Sequence, residues 1–408
     1  MQYEYIRTSE QLHEFCERLR QSPIIAWDTE FVSEDTYRPD LCLVQVAAGE
    51  ALGVIDPREV PDLTPFWNLL CDGDHLSLVH AGREEFRFCL AATGKRPRRL
   101  FDTQVAAGLI GLEYPSSYAK LISRMLNQHL AKGETRTDWR HRPLTARQLE
   151  YALLDVTYLE PLYQRLMRNL GRLERVTWLD QEMERWQADI EDFEGRENWR
   201  RVSGTSGLSD KAMAIVRELW RWREAEAAKQ NRPPRRVLRD DLIVELAKRG
   251  KADEKQVAAI RGIDRVLSKK HFPTVAECIR VASELPREEW PQRPASQPVT
   301  HASLVGQFIS TALSSICRSQ RIAPGLAGTV QDVRDLVEFR LKGEMPAEEE
   351  VPILARGWRA EVVGQTIDRL LSGHLAIRIQ DPRAEEPLVL EAIEGSAGPA
   401  APFDGLDP

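Results

Sequence analysis

The segment LEYALLDVTYL, residues 149–159, places Tyr151 and Asp155 four residues apart within an apolar pattern. Side chains at that spacing share one face of an α-helix, so a phenol and a carboxylate are predicted to project side by side. Taken alone, such a pair is common on the surface of ordinary helices. It becomes informative because a second pair of acidic residues lies far upstream in the chain.

That second pair is in IIAWDTEFV, residues 24–32, where Asp28 and Glu30 interrupt an apolar run that predicts a strand. Residues two apart on a strand point to the same side, although a pair of this kind often lies at a solvated strand edge. We expect these carboxylates to meet Asp155 where the strand passes the helix. Clustered carboxylates repel one another unless a cation joins them, and hard oxygen ligands suit Mg²⁺ or Mn²⁺. The pattern therefore predicts a metal-dependent phosphoryl-transfer site.

The composition is that of a soluble globular protein, with 42% hydrophobic and 29% charged residues. A chain of 408 residues predicts two or three domains. The absence of a long apolar run and of a signal-peptide pattern at the N-terminus predicts a cytoplasmic protein with no membrane partner. Six scattered cysteines without a CxxC pair are expected to be reduced thiols. The net charge of −7 argues against a broad nucleic-acid-coating surface but allows a local basic groove.

Strand-like and helix-like segments alternate in the first part of the chain, which predicts an α/β domain with a mixed sheet. The stretch 145–170 predicts one long helix, with Thr145 and Gln148 as a capping box at its start. LFDTQVAAGLIG, residues 100–111, also predicts a helix.

Only helical patterns follow the α/β domain, and a Pro-rich linker divides them. HLAIRIQD and PLVLEAI then suggest a short hairpin, and the small, Pro- and Gly-rich end of the chain is predicted to be disordered. The predicted boundaries are an α/β domain with a helical connector at 1–200, a helical domain at 206–285, a linker at 286–300, a second helical domain at 301–373 and a C-terminal extension at 374–408.

Five strings in the first half of the chain carry a resemblance to a known family. They are WDTEF at 27–31, LCLVQVA at 41–47, LVHAGREEF at 78–86, LFDTQVAA at 100–107 and TDWRHRPLTARQLEYALLDVTYL at 137–159. In order and spacing they resemble the DEDD superfamily of 3′→5′ exonucleases, in the branch with a tyrosine in its last motif. Within it, the chain is similar to the ribonuclease D family. The resemblance implies a ribonuclease H-like mixed sheet with flanking helices, followed by two all-α HRDC-like domains.

The resemblance also implies two divalent cations, Mg²⁺ or Mn²⁺, held by four carboxylates. Asp28 would bridge the cations, and Glu30 and Asp155 would complete the site of the cation that binds the attacking water. Glu85 would support the other cation, and Tyr151 would orient the attacking water. Glu85 departs from the family, which has Asp at this position, and its extra methylene moves the carboxylate by about 1.5 Å.

The activity that the resemblance implies is hydrolysis of RNA from its 3′ end, releasing nucleoside 5′-monophosphates. The expected partner is an RNA with a free 3′ end, such as a tRNA precursor, and the protein is expected to be a monomer. Two alternatives stay open: a non-catalytic RNA-binding protein whose site decayed through Glu85, and a DNA 3′→5′ exonuclease.

Further candidates for RNA binding lie outside the carboxylate cluster. His80, Arg140 and Arg142 occur within the matching strings, but a structural role for the histidine is an equal alternative. Asp102 is more simply explained as a helix N-cap than as a metal ligand. A basic loop that enters a helix suits phosphate binding, although a solvated turn is the plain alternative. Its cations are Lys229, Arg232, Arg235, Arg236 and Arg239.

Overall fold

The computed structural model describes residues 2–130, 137–265, 267–292, 300–342, 351–384 and 387–393. Six strands form one sheet in the order β1-β4-β3-β2-β5-β6. They are β1 (Glu4–Ile6), β2 (Ile24–Val32), β3 (Asp40–Ala48), β4 (Ala51–Ile55), β5 (Leu76–Val79) and β6 (Leu100–Asp102).

The sheet is mixed, as the alternating pattern predicts. Strands β2, β3 and β4 form an antiparallel meander, while β1 pairs parallel to β4 and β5 and β6 continue parallel from β2. Strand β2 lies in the middle of the sheet, and its residues Ile25, Ala26 and Trp27 are buried in the core. The antiparallel register sets Asp28 of β2 opposite Gln45 of β3. The acidic part of β2 directly follows the buried residues of the same strand.

Eight helices accompany this sheet in the described part of the chain. They are α1 (Ser9–Leu19), α2 (Thr64–Asp72), α3 (Arg83–Thr93), α4 (Thr103–Leu109), α5 (Tyr118–Leu126), α6 (Ala146–Thr157), α7 (Leu159–Arg172) and α8 (Val176–Gly195). The capping box of Thr145 and Gln148 is confirmed at the start of α6.

Two sequence predictions in this region were wrong in detail. The predicted long helix is divided between α6 and α7 at Tyr158, whose φ of −101° and ψ of 3° lie outside the helical region. The helix predicted from Leu100 begins only at Thr103, because the first residues form edge strand β6. In both cases the apolar pattern continues across a change of backbone conformation. At Leu100 the reason is that an apolar run alone does not distinguish a short buried strand from a helix.

The first helical domain has a hydrophobic core of its own, which includes Ile215, Leu219, Ile243 and Val275. Its helices are α9 (Asp210–Gln230), α10 (Pro234–Val237), α11 (Asp240–Arg249), α12 (Glu254–Ala258) and α13 (Phe272–Glu284). Trp290, within the predicted linker, packs against this core, whereas residues 293–299 of that linker lie outside the described residues.

A second helical unit follows and ends in an antiparallel hairpin, which the sequence predicted. Its elements are α14 (Thr300–Ser310), α15 (Leu313–Ser319), α16 (Pro324–Ala327), α17 (Val330–Lys342), α18 (Gly357–Arg359), a π-helical turn (Ala360–Gly364), α19 (Gln365–Leu371), β7 (Leu375–Ile379) and β8 (Leu388–Ala392). The stretch 394–408, which includes the predicted disordered end, lies outside the described residues. None of the helices described is long and apolar enough to cross a membrane.

The second helical unit packs directly on the α/β domain and shares its hydrophobic core. The Trp178 and Trp358 rings stack with their centroids 5.7 Å apart. The buried Arg359 guanidinium donates to both carboxylate oxygens of Glu182 on α8 and to backbone carbonyl oxygens of α16. These contacts join the far end of the chain to the helical connector, while the exact domain boundaries stay a prediction.

Candidate active site

Strand β2 presents the first two carboxylates of the site. Asp28 Oδ2 accepts a hydrogen bond of 2.9 Å from Gln45 Nε2, which fixes the carboxylate against the neighbouring strand. Burial and the negative charges of Glu85, Asp155 and Glu30 hold the pKa of Asp28 well above its ordinary value. Burial, followed by the charges of Asp155 and Glu85, also raises the pKa of Glu30 to about 8. The site therefore disfavours full ionisation of these acids when no cation is present.

Helix α3 brings the third carboxylate from its first turn. Glu85 is only 4% exposed, and the Thr29 hydroxyl donates a hydrogen bond of 2.5 Å to Glu85 Oε1. Burial raises the pKa of Glu85 to about 7, although the hydrogen bond from Thr29 opposes this shift. Thr29 lies between Asp28 and Glu30 on β2, so the strand itself holds the glutamate in position.

Helix α6 packs across β2 and β3 and supplies the fourth carboxylate, Asp155, together with Tyr151. The Tyr151 hydroxyl donates a hydrogen bond to the Asp155 carboxylate, as expected for residues one turn apart on a helix. Burial raises the pKa of Asp155 to about 7, and burial together with nearby carboxylates raises the pKa of Tyr151 well above its ordinary value. Tyr151 therefore stays a neutral hydrogen-bond donor and acceptor at physiological pH.

The four carboxylates come from three separate elements and act on one another electrostatically. Within the described ranges, no three carboxylate, histidine or cysteine side chains already converge as closely as a bound metal ion requires. The chemistry of the donors nevertheless fits a hard divalent cation, because they offer only carboxylate oxygens and their mutual repulsion favours a positive charge among them.

Asp102 and His80 have structural roles beside this cluster. Asp102 caps α4 by accepting from the backbone nitrogen of Gln104, and it also accepts from the backbone nitrogens of Ala81 and Gly82. This confirms that Asp102 is an N-cap. His80 Nδ1 lies 2.9 Å from Thr103 Oγ1, its ring packs on Tyr118, and burial lowers its pKa. These contacts favour the structural alternative for His80 over RNA binding.

The structure argues against the predicted phosphate contacts of Arg140 and Arg142. All five N–H groups of Arg142 are used internally, by Asp56 and by backbone carbonyl oxygens of Cys42, Trp139 and His141. Arg140 is paired with two aspartates, Asp35 and Asp138, which leave no net positive charge for a phosphate. Sequence alone shows the cations in this loop but not the distant acids that neutralise them.

Only some of the cations in the basic loop of the first helical domain form internal ion pairs. Arg235 pairs with Asp240 at 3.2 Å, and Arg239 pairs with Asp241 at 2.7 Å. Lys229, Arg232 and Arg236 are exposed. RNA binding by this loop stays a prediction.

Two residues that hold the cluster were missed by the sequence analysis. Gln45 is fully buried and contacts Asp28, and Thr29 contacts Glu85. A glutamine in the middle of the apolar run LCLVQVA was the available signal for Gln45, because a buried polar group requires a partner. The identity of that partner depends on the strand register, which the sequence does not give.

Two family models match the chain, one described as a 3′-5′ exonuclease over residues 3–171 and one as an HRDC domain over residues 212–279. The fold and the carboxylate cluster thus define a 3′-5′ exonuclease with an HRDC domain behind it. Ribonuclease D of Sphingobium indicum is 34% identical, over 93% of this chain and 97% of that protein. Ribonuclease D of Zymomonas mobilis is 33% identical, over 94% of this chain and 98% of that protein. The chain belongs to the ribonuclease D family.

The solved structures agree with this membership. The crystal structure of Escherichia coli RNase D, described as an exoribonuclease involved in structured RNA processing, matches with a TM-score of 0.78 and 27% identity. The match covers 92% of this chain and all of that one. The protein is accordingly a 3′-5′ exoribonuclease of a family that depends on divalent metal ions, which favours the enzyme over the binding-protein and DNA-exonuclease alternatives.

Proposed function

We propose that Asp28, Glu30, Glu85 and Asp155 hold two divalent cations, Mg²⁺ or Mn²⁺, at which the terminal phosphodiester bond of RNA is hydrolysed. The observation that carries this proposal is that β2, α3 and α6 bring four carboxylates near one another, so that burial and the charges of Glu85, Asp155 and Glu30 raise the pKa of Asp28. When bound, such cations supply a water of lowered pKa and stabilise the charge that develops on the leaving oxygen.

The chain's own residues then position the reacting groups. Tyr151 is neutral and already hydrogen-bonded to Asp155, so its hydroxyl orients the attacking water rather than removing a proton from it. Gln45 and Thr29 hold the carboxylates of Asp28 and Glu85 in fixed orientations. This support is consistent with a working site in which glutamate replaces the aspartate of the family.

For the substrate, we propose an RNA with a free 3′ end, with tRNA precursors as the physiological case and nucleoside 5′-monophosphates as products. The support is the relation to Escherichia coli RNase D, whose role lies in structured RNA processing. We further propose that the enzyme is a monomer, since the catalytic cluster and the HRDC domain lie on one chain. We also propose that it is cytoplasmic.

The experiment uses a 5′-labelled RNA with a short single-stranded 3′ tail and a DNA of the same sequence. Each is incubated with the protein in Mg²⁺, Mn²⁺ or EDTA, and the products are separated at single-nucleotide resolution. The proposal predicts a metal-dependent ladder that shortens from the 3′ end of the RNA. Intact RNA in every lane, with binding still detected, would favour the decayed site, whereas faster degradation of the DNA would favour a DNA exonuclease.

A further inference from the structure

We propose that Cys71 and Cys89 form a modification site at which hydrogen peroxide joins helices α2 and α3 by a disulfide and thereby lowers the rate of RNA hydrolysis. The oxidation chemistry goes beyond the proposed function and is independent of it. The effect on the rate rests on the proposed function, because it acts through Glu85, which we propose as a metal ligand.

The two sulfur atoms are in contact inside the exonuclease domain. Cys71 Sγ, in the last turn of α2, lies 3.3 Å from Cys89 Sγ, in the second half of α3. All six cysteines fall within the described residues, and no other two of them have their sulfur atoms in contact. A disulfide between this pair needs little backbone movement, because the helices already bring the thiols together.

One of the two thiols lies close to the protein surface. Cys89 is fully buried, whereas Cys71 is 6% exposed and contacts the loop that follows α3. Its sulfur lies 3.4 Å from Thr93 Oγ1 and 3.7 Å from the backbone oxygen of Lys95, and the Lys95 side chain is exposed. Hydrogen peroxide is a small molecule, so a local opening of this surface loop is enough for it to reach Cys71.

The environment of the pair makes Cys71 the nucleophile. The hydrogen bond from the Cys89 thiol lowers the pKa of Cys71 to about 7, although burial opposes this shift. The thiolate is the form of cysteine that attacks a peroxide. Cys89 keeps its proton, because its hydrogen bond to Cys71 and its burial raise its pKa. The pair therefore consists of an attacking thiolate and a resolving thiol.

The oxidation takes two steps and consumes one molecule of peroxide. The Cys71 thiolate attacks one peroxide oxygen, the O–O bond breaks, and the sulfur becomes a sulfenic acid while hydroxide leaves. The Cys89 sulfur then attacks the sulfenic sulfur and its proton goes to the departing oxygen, so that the S–S bond forms and water leaves. The two sulfur atoms are oxidised and the two peroxide oxygens are reduced. A dithiol reverses the modification by thiol–disulfide exchange.

The disulfide is connected to the catalytic cluster through α3. Glu85 and Cys89 are four residues apart on this helix and share its buried face. Bond formation draws the two sulfur atoms closer by about 1 Å, and a close-packed core passes such a movement on to its neighbours. Glu85 Oε1 accepts a hydrogen bond from Thr29, which is adjacent to Asp28. A shift of α3 therefore moves the Glu85 carboxylate relative to the other carboxylates.

Helix α2 also contacts the strand that carries the first two carboxylates. Phe66 and Trp67 of α2 pack edge-on against the Trp27 ring, with centroids 6.1 Å and 5.8 Å away. Trp27 directly precedes Asp28 on β2. The disulfide thus joins two helices that each contact β2, and a relative movement of these helices changes the geometry of the site.

The test compares wild type with Cys71→Ala, which cannot form the disulfide. Cys278→Ala, at a half-buried cysteine of α13, is the matched control. Each protein is treated with hydrogen peroxide in EDTA, the peroxide is removed with catalase, and hydrolysis is measured in Mg²⁺ before and after addition of dithiothreitol.

We expect kcat of wild type and of Cys278→Ala to fall about tenfold after oxidation, and dithiothreitol to restore it. The Mg²⁺ concentration for half-maximal activity should rise in the same two proteins, because Glu85 is displaced. Cys71→Ala should keep its rate and its Mg²⁺ requirement under the same treatment. Cys89→Ala removes the same bond from the other helix and should behave like Cys71→Ala.

Formation of the disulfide is measured separately, so that the oxidation chemistry is tested even if hydrolysis fails. Oxidised protein is alkylated and digested with trypsin without reduction, and mass spectrometry should find the peptides of Cys71 and Cys89 joined. Absence of the joined peptides from oxidised wild type would overturn the inference. Joined peptides with an unchanged kcat and Mg²⁺ requirement would overturn the connection to Glu85. A chain that hydrolyses no RNA before oxidation would contradict the proposed function instead.

Discussion

Gln45 and Asp28 face each other across the antiparallel pair β2 and β3, and Gln45 Nε2 donates a hydrogen bond of 2.9 Å to Asp28 Oδ2. Gln45 is fully buried, so its amide is fixed by packing and in turn fixes the carboxylate. The Asp28 carboxylate also accepts a hydrogen bond from the backbone of Thr29. Asp28 therefore owes its orientation both to a neighbour on the adjacent strand and to the backbone of its own strand.

Replacing Gln45 with Leu is expected to impair catalysis without removing a metal ligand. The change keeps the volume roughly constant but deletes the hydrogen bond, and partners of metal ligands typically affect metal affinity or activity by about 10- to 100-fold. We predict a higher Mn²⁺ concentration for half-maximal activity and a lower kcat. The same substitution at Gln164, exposed on α7, serves as the control. A metal titration identical to wild type would show that Gln45 only fills space.

The Tyr151→Phe substitution removes a hydroxyl that is hydrogen-bonded to Asp155. Because a misplaced nucleophile costs roughly 10- to 100-fold in rate, we expect kcat to fall by that order. RNA affinity measured in EDTA should stay within about twofold, since the ring is retained. Tyr163→Phe on α7 is the control. A kcat equal to wild type would exclude Tyr151 from the mechanism.

Glu85→Asp restores the residue type of the family and tests whether the site is adapted to glutamate. The shorter side chain withdraws by about 1.5 Å and loses the hydrogen bond that Thr29 now donates to Glu85 Oε1. We therefore predict an unchanged or reduced kcat, measured on a 5′-labelled RNA under saturating Mg²⁺. An increase well above the wild-type rate would mean instead that glutamate impairs this position.

The raised pKa values make metal binding and stability depend on pH. Glu30 titrates at about 8 and Glu85 and Asp155 at about 7, whereas their ordinary values are 4.5, 4.5 and 3.8. A raised carboxyl pKa contributes stability that is complete below the ordinary value and is lost as the pH rises through the folded value. In EDTA, Tm should consequently decline between about pH 4 and about pH 8, where the unfolded chain has lost these protons and the folded protein still holds them.

Divalent metal should reverse this decline, because a cation binds the ionised carboxylates. The rise in Tm on adding Mn²⁺ is predicted to grow across the same pH range and to be weakened in Glu30→Gln. Thermal melts with and without metal at several pH values give the measurement. A metal-induced shift that is the same at both ends of the range would show that these acids do not bind the ion.

Much of the catalytic domain could be predicted from local patterns. The apolar runs around Asp28 and Gln45 form strands β2 and β3, and the capping box at Thr145 starts α6. Asp28, Glu30, Glu85 and Asp155 lie near enough to affect one another, as their motifs suggested. The strands and the start of α6 depend on residues adjacent in sequence, where periodicity and capping act. The expectation that Glu85 joins the other carboxylates came from the family resemblance.

Contacts between distant segments could not be predicted in the same way. Arg142 seemed free to bind phosphate until the fold placed Asp56 beside it. The sequence predicted a second helical domain but not what it packs against, and Arg359 pairs with Glu182 across 177 residues of chain. Such partners are set by packing and register, so a sequence shows that a buried charge needs a partner without showing which one.

The most direct test of the catalytic cluster is the rate of 3′-terminal nucleotide release by Asp28→Asn and Asp155→Asn. Each variant is incubated with 5′-labelled RNA in Mg²⁺, and Asp180→Asn, at an exposed position of α8, is the control. The isosteric change removes a charge but keeps the volume, so folding and RNA binding should persist while hydrolysis falls more than about 100-fold. A ladder produced at the wild-type rate by either variant would contradict the proposal that these carboxylates form the active site.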